Sequence, residues 1–119
     1  MHGDLDQHTR MALLSSFKAG GLHVLVATDV AARGLDIRTI RTVVNYDAAR
    51  DIDTHVHRIG RTGRAGDKDG VAVTLLLPNE TRMAAALAAN LQSVGQSVPK
   101  CASRKDRLRD GFVLGTHRR

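Results

Sequence analysis

Three neighbouring stretches decide the fold: Thr42-Val43-Val44-Asn45-Tyr46, then Asp51-Ile52-Asp53-Thr54-His55-Val56-His57-Arg58-Ile59, then Val71-Ala72-Val73-Thr74-Leu75-Leu76-Leu77. The outer two are short, apolar and β-branched, and Pro78 closes the second of them, which is how strands read. Between them Asp51 can cap a helix that turns Ile52, Val56 and Ile59 inward, at spacings of four and three. Strand, helix and strand in this order predict a crossover unit in a layered α/β domain.

Working outward, Leu22-His23-Val24-Leu25-Val26-Ala27 is a nearly continuous apolar run rather than an alternating one. Such a run predicts another strand, covered on both faces as in a parallel sheet. Before it, Asp6 or Thr9 can cap a helix over 9–19 with Leu13, Leu14 and Phe17 on its apolar side, and Gly20-Gly21 stop it. Beyond Pro78, Asn79 is the expected cap of a helix to about Ser93, with Met83, Leu87 and Leu91 on one face and Gly95 past its end. Ligands of such sheets gather at the carboxyl ends of the strands. The chain starts at Met1-His2-Gly3-Asp4 with no strand before it, so the domain is expected to have begun earlier.

Composition narrows the classes. The 119 residues suffice for one domain, and with two Phe, one Tyr and no Trp the core must be built from Leu, Val, Ile and Ala. The single cysteine, Cys101, cannot form an internal disulfide or a cysteine metal cluster, which fits a reducing compartment. No apolar run reaches membrane-spanning length, so no membrane partner is expected. The net charge of +6 is uneven: residues 1–99 carry 11 basic against 10 acidic side chains, and residues 100–119 carry 7 against 2. Such a basic tail suits a polyanion or is simply a solvated terminus. Residues 1–95 are therefore expected to be the domain, and 96–119 a basic, flexible tail.

Two runs concentrate the chemistry. One is Val26-Ala27-Thr28-Asp29-Val30-Ala31-Ala32-Arg33-Gly34-Leu35-Asp36-Ile37; the other is His57-Arg58-Ile59-Gly60-Arg61-Thr62-Gly63-Arg64-Ala65-Gly66. A third, shorter element is His2-Gly3-Asp4 with Gln7 and Arg10. Guanidinium groups among glycines suit phosphate, because arginine donates two hydrogen bonds and glycine lets backbone approach closely. Taken singly, Arg10 is an ordinary surface arginine, Gly34 a loop glycine and Asp36 a turn residue. His55 and His57, two apart, diverge on a helix, and no metal site is expected. No phosphate loop of the Gly-x-x-x-x-Gly-Lys-Thr/Ser type is present.

Together these elements resemble the second, C-terminal RecA-like lobe of the DEAD-box ATP-dependent RNA helicases, from about His2 to Leu77. The resemblance implies a three-layer α/β lobe with a mostly parallel sheet, here truncated at its N-terminal side. Residues Asn45 to His55, with Ala49 where most members have proline, resemble the nuclear, splicing-associated branch most. That implies a nucleus rather than cytoplasm location, and spliceosomal or other ribonucleoprotein partners.

By the same resemblance, Gly3, Arg10, Thr28 and Gly34 would face RNA. Asp36 would meet the ribose of ATP, and Arg61 and Arg64 its γ-phosphate, Arg64 as the arginine finger. Asp29, Arg33 and His57 would couple this lobe to the N-terminal RecA-like lobe, and Arg58 would support the motif. Mg2+ would be held by that other lobe, since the family's Asp-Glu-Ala-Asp motif is missing here. The 119 residues alone are thus expected not to hydrolyse ATP. The alternative is a nonenzymatic fragment that binds RNA or docks on a helicase partner.

Overall fold

The computed structural model describes residues 1–32, 37, 40–63, 69–99 and, for the backbone, 112–117. It forms two compact units, Met1–Thr39 and Ile40–Arg119.

In the first unit, helix α1 spans Gln7–Lys18. Asp6 caps it, its carboxylate accepting the Thr9 N–H at 2.9 Å. That settles the choice between the two candidate caps: Thr9 lies inside the helix. The Gly20 and Gly21 amides close its end onto the Phe17 and Ser16 carbonyls, as the glycine pair implied. Leu13, Leu14 and Phe17 are only half-buried, and no α1 residue is fully buried.

Leu22–Ala27 corrects an expectation. Among the described residues it forms no strand, and Val24 and Val26 are 76% and 79% exposed. An apolar run becomes a strand only when a neighbour completes its ladder. Here Met1 supplies two bonds and no ladder: its ammonium donates to the Val26 carbonyl, and its carbonyl accepts the Thr28 N–H at 3.0 Å. The short helix α2, Asp29–Ala32, follows.

The second unit contains the crossover. Strand β1 spans Thr42–Asn45, helix α3 Ile52–Ile59 and strand β2 Val71–Leu76. The two strands pair in parallel, from Thr42 opposite Val71 to Asn45 opposite Thr74. Asp51 caps α3 as expected, its carboxylate accepting the Thr54 N–H at 2.7 Å. Asn45 and Thr74 are buried polar residues, and the amide nitrogen of Asn45 donates to the Thr74 hydroxyl at 3.0 Å. That bond gives each of the two buried side chains a polar partner.

Helix α4 spans Thr81–Ser93. Its cap position is Glu80, not Asn79; the Glu80 carboxylate turns back to accept the Leu77 N–H at 2.7 Å. Leu87 and Leu91 are buried as expected, with Ala84, and Met83 packs at the margin. Leu76, Ala84 and Leu87 form the core, flanked by Ala48, Ile52 and Met83. A strand missing from the sequence reading, β3 at Phe112–His117, pairs antiparallel with β2 and gives the order β1-β2-β3. It lies within the span expected to be a tail. The result is an α/β domain whose first two strands run parallel around a helical crossover.

Candidate functional site

In the first unit, three residues singled out for RNA meet around α2, although they come from three separate parts of the chain. Thr28 directly precedes α2, is exposed, and is fixed by its N–H bond to Met1. Gly3 lies beside the helix: a Cβ placed on it would stand 3.8 Å from a Val30 methyl, an ordinary contact. Packing within the protein therefore does not require glycine there. Arg10, from α1, donates one guanidinium nitrogen to the Ala31 carbonyl at 3.2 Å. That bond holds its planar head against the exit of α2. Asp29 opens α2. Arg33, Gly34 and Asp36 lie outside the described residues.

In the second unit the motif begins on α3. Its cap, Asp51, has its carboxyl held below the ordinary range by the Thr54 amide first, then by the Thr54 side chain. Asp6 on α1 is lowered in the same way by the Thr9 side chain and amide. Ile59 and His55 face inward, whereas His57 is exposed. His55 shares the face that Ile52, Val56 and Ile59 set, three residues after Ile52 and four before Ile59, so its burial follows the helical spacing although its side chain is polar. Its Nδ1 is buried without a hydrogen-bond partner, and burial, then the Arg58 charge, push its pKa below the ordinary histidine value.

The helix end is tied in several places. Arg58 donates to the Asp47 carbonyl at 2.7 Å, fastening α3 to the loop after β1. The Arg61 Nε donates to the His57 carbonyl at 3.2 Å, so the Arg61 side chain runs back along the last turn. Thr62, which the sequence reading passed over, is 2% exposed and donates its hydroxyl to the Arg41 carbonyl at 2.7 Å. Arg64 lies outside the described residues. Among the described residues no three His, Cys, Asp or Glu side chains gather where a metal ion could sit.

A parallel strand pair around a capped helix, with Arg58 and Arg61 at that helix's end, defines an α/β domain. Residues 1–66 match the family model described as the helicase conserved C-terminal domain, and the chain belongs to that family as the RecA2-like domain of a DEAD-box RNA helicase. It is 63% identical over 99 residues to the DEAD-box ATP-dependent RNA helicase 24 of Arabidopsis thaliana, covering 83% of this chain and 13% of that one. The ATP-dependent RNA helicase DDX42 of Homo sapiens is 61% identical over 100 residues, covering 84% of this chain and 11% of that one. The crystal structure of the yeast DEAD-box splicing factor Prp28 superposes with a TM-score of 0.78 at 29% identity, over 93% of this chain and 25% of that one. The chain thus spans about an eighth of the length of these curated relatives. ATP binding is a property of the family it belongs to.

Proposed function

We propose that this chain supplies the C-terminal part of an ATP-dependent RNA helicase's second lobe, allied to the splicing-associated branch. In that role Gly3, Arg10, Thr28 and Gly34 hold the RNA backbone. Asp36 accepts a ribose hydroxyl of ATP, and Arg61 and Arg64 meet the γ-phosphate across the cleft. Asp29, Arg33 and His57 couple the two lobes. Mg2+ would be held by the N-terminal lobe, where it would supply positive charge to the phosphates of ATP. A nuclear location and ribonucleoprotein partners go with this branch.

The observation that carries the reading is the convergence of Gly3, Thr28 and Arg10 on α2. A residue with no bulk, an exposed hydroxyl and a braced guanidinium form a set suited to a sugar-phosphate strand, where backbone contacts position RNA without reading its sequence. The arginines act differently. Charge that builds on the transferred phosphoryl group is stabilised by a cation already in place, and the loss of such a residue costs about 10³-fold or more in turnover.

The test transplants the matching segment of this chain into the Arabidopsis helicase 24 in place of its own 99 matching residues. RNA-stimulated phosphate release should survive the exchange and fall about 10³-fold with Arg64→Ala. Activity untouched by Arg64→Ala would remove the arginine assignment. The 119 residues alone should bind RNA in a filter assay yet release no phosphate. Binding with no active chimera would favour the nonenzymatic alternative.

A further inference from the structure

The segment leaving α3 changes direction at Arg61 and Thr62, and its attachment there is unusually dense. The Arg61 and Thr62 amides donate to the Arg58 and Ile59 carbonyls at 3.2 and 3.1 Å, continuing the helix by one tight turn. The Thr62 side chain then bonds outward. Its hydroxyl shares the Arg41 carbonyl with the Val71 N–H, at 2.7 and 2.8 Å. One carbonyl oxygen with two lone pairs therefore joins the end of α3 to the first residue of β2.

The other side of this junction is closed by backbone alone. Gly63 adopts a φ of +63°, and Gly70 is buried against it. A Cβ on Gly70 would stand 2.5 Å from the Gly63 nitrogen, 2.6 Å from its Cα and 2.9 Å from the Thr62 hydroxyl. All three are too short for real atoms, and two belong to backbone, which cannot swing aside. Gly70 therefore has to be glycine for Thr62 to reach Arg41.

We propose that Thr62 is a positioning residue for Arg61: its hydroxyl on the Arg41 carbonyl, seated by Gly70, fixes the direction in which Arg61 leaves the helix. The inference rests on the reading of Arg61 as a phosphate-facing arginine. Arg61 is held on its helix side by the His57 carbonyl and on its chain side by the buried Thr62. Without the hydroxyl the Arg41 carbonyl keeps its Val71 bond, so the strand pair survives while the turn loosens. A charge-stabilising group loses much of its effect when displaced by a fraction of its contact distance.

The experiment is a double-mutant cycle in the chimeric helicase, read as kcat and KM for RNA-stimulated ATP hydrolysis. Thr62→Val should lower kcat roughly tenfold with little change in KM, and Thr62→Ser should restore it. On the Arg61→Ala background, Thr62→Val should change kcat by less than about twofold, because the two residues act as one unit. Equal losses on both backgrounds would make Thr62 merely structural and overturn the inference. So would a serine variant as slow as the valine one. If Arg61→Ala itself leaves kcat intact, the underlying assignment of Arg61 has failed, which is a separate outcome. Should Thr62→Val melt out, Thr62→Ala, which removes the hydroxyl without adding bulk, enters the same cycle, with the same coupling expected.

Discussion

The two units hold their proposed functional residues in different surroundings. In Ile40–Arg119 the arginine turn grows from a helix whose inner face is buried, next to a core of Leu76, Ala84 and Leu87. In Met1–Thr39 only Ala31 and Ile37 are buried among the described residues, and α1 buries none. There Thr28 and Arg10 rest on hydrogen bonds to Met1 and Ala31 with little buried core beside them. Packing interlocks and resists displacement, whereas a partly exposed hydrogen bond exchanges with water at small net cost. A cation that must meet a transient charge benefits from the first kind of support. Contacts to a flexible single strand tolerate the second.

The contrast breaks most visibly in stability. Leu87 is 1% exposed, and Leu87→Ala should cost about 3 kcal/mol in urea unfolding. Leu13 is half-buried on α1, and Leu13→Ala should cost about 1 kcal/mol or less. Equal costs would mean that the units do not differ in this way.

Arg10→Ala sharpens the next distinction. If Arg10 meets a phosphate, the slope of log affinity against log salt for single-stranded RNA should fall by about 0.7. If it only braces the Ala31 carbonyl, affinity should weaken with the slope unchanged.

Acid offers a third comparison, since His55 belongs to the second unit alone. Its folded pKa is depressed, so its contribution is whole above the unfolded histidine value near 6.5 and is lost as pH falls through the folded value. Urea midpoints should drop between about pH 7 and 5, and His55→Phe should flatten that drop.

The smallest expected effect is shared by the units. Asp6 and Asp51 cap α1 and α3 alike, and both carboxyls are lowered in the fold. Their contributions are present above about pH 4 and lost as pH falls through the folded values. Asp6→Asn and Asp51→Asn should each move the acid limb of the unfolding curve slightly, and by similar amounts.

Much of this architecture was legible because its signals are local. Asp6, Asp51 and Gly20-Gly21 act within one helical turn of themselves, and β2 stops at Leu76, two residues before Pro78. Misreadings arose where the outcome depends on distant partners. Leu22–Ala27 has the composition of a strand, but composition cannot supply a ladder. Conversely, β3 contains Gly115 and sits in a basic region, yet six residues of β2 select it. For the site, Gly3, Arg10 and Thr28 stood out only as parts of a family pattern, and their convergence on α2 needed the fold. Thr62 gave no signal at all, because its partner is a main-chain carbonyl and every residue has one.

The register of β3 bears on how the chain is made. On the ribosome, β1, α3 and β2 are synthesised, and leave it, ahead of Phe112–His117. Translation at about 5–20 residues per second leaves one side of β2 bare for a few seconds. During that interval Val71–Leu76 is an open template, and any extended segment nearby competes for the place that His117 through Phe112 will take. Crowding by neighbouring nascent chains, or a pause in translation just after Ser93, would lengthen that competition.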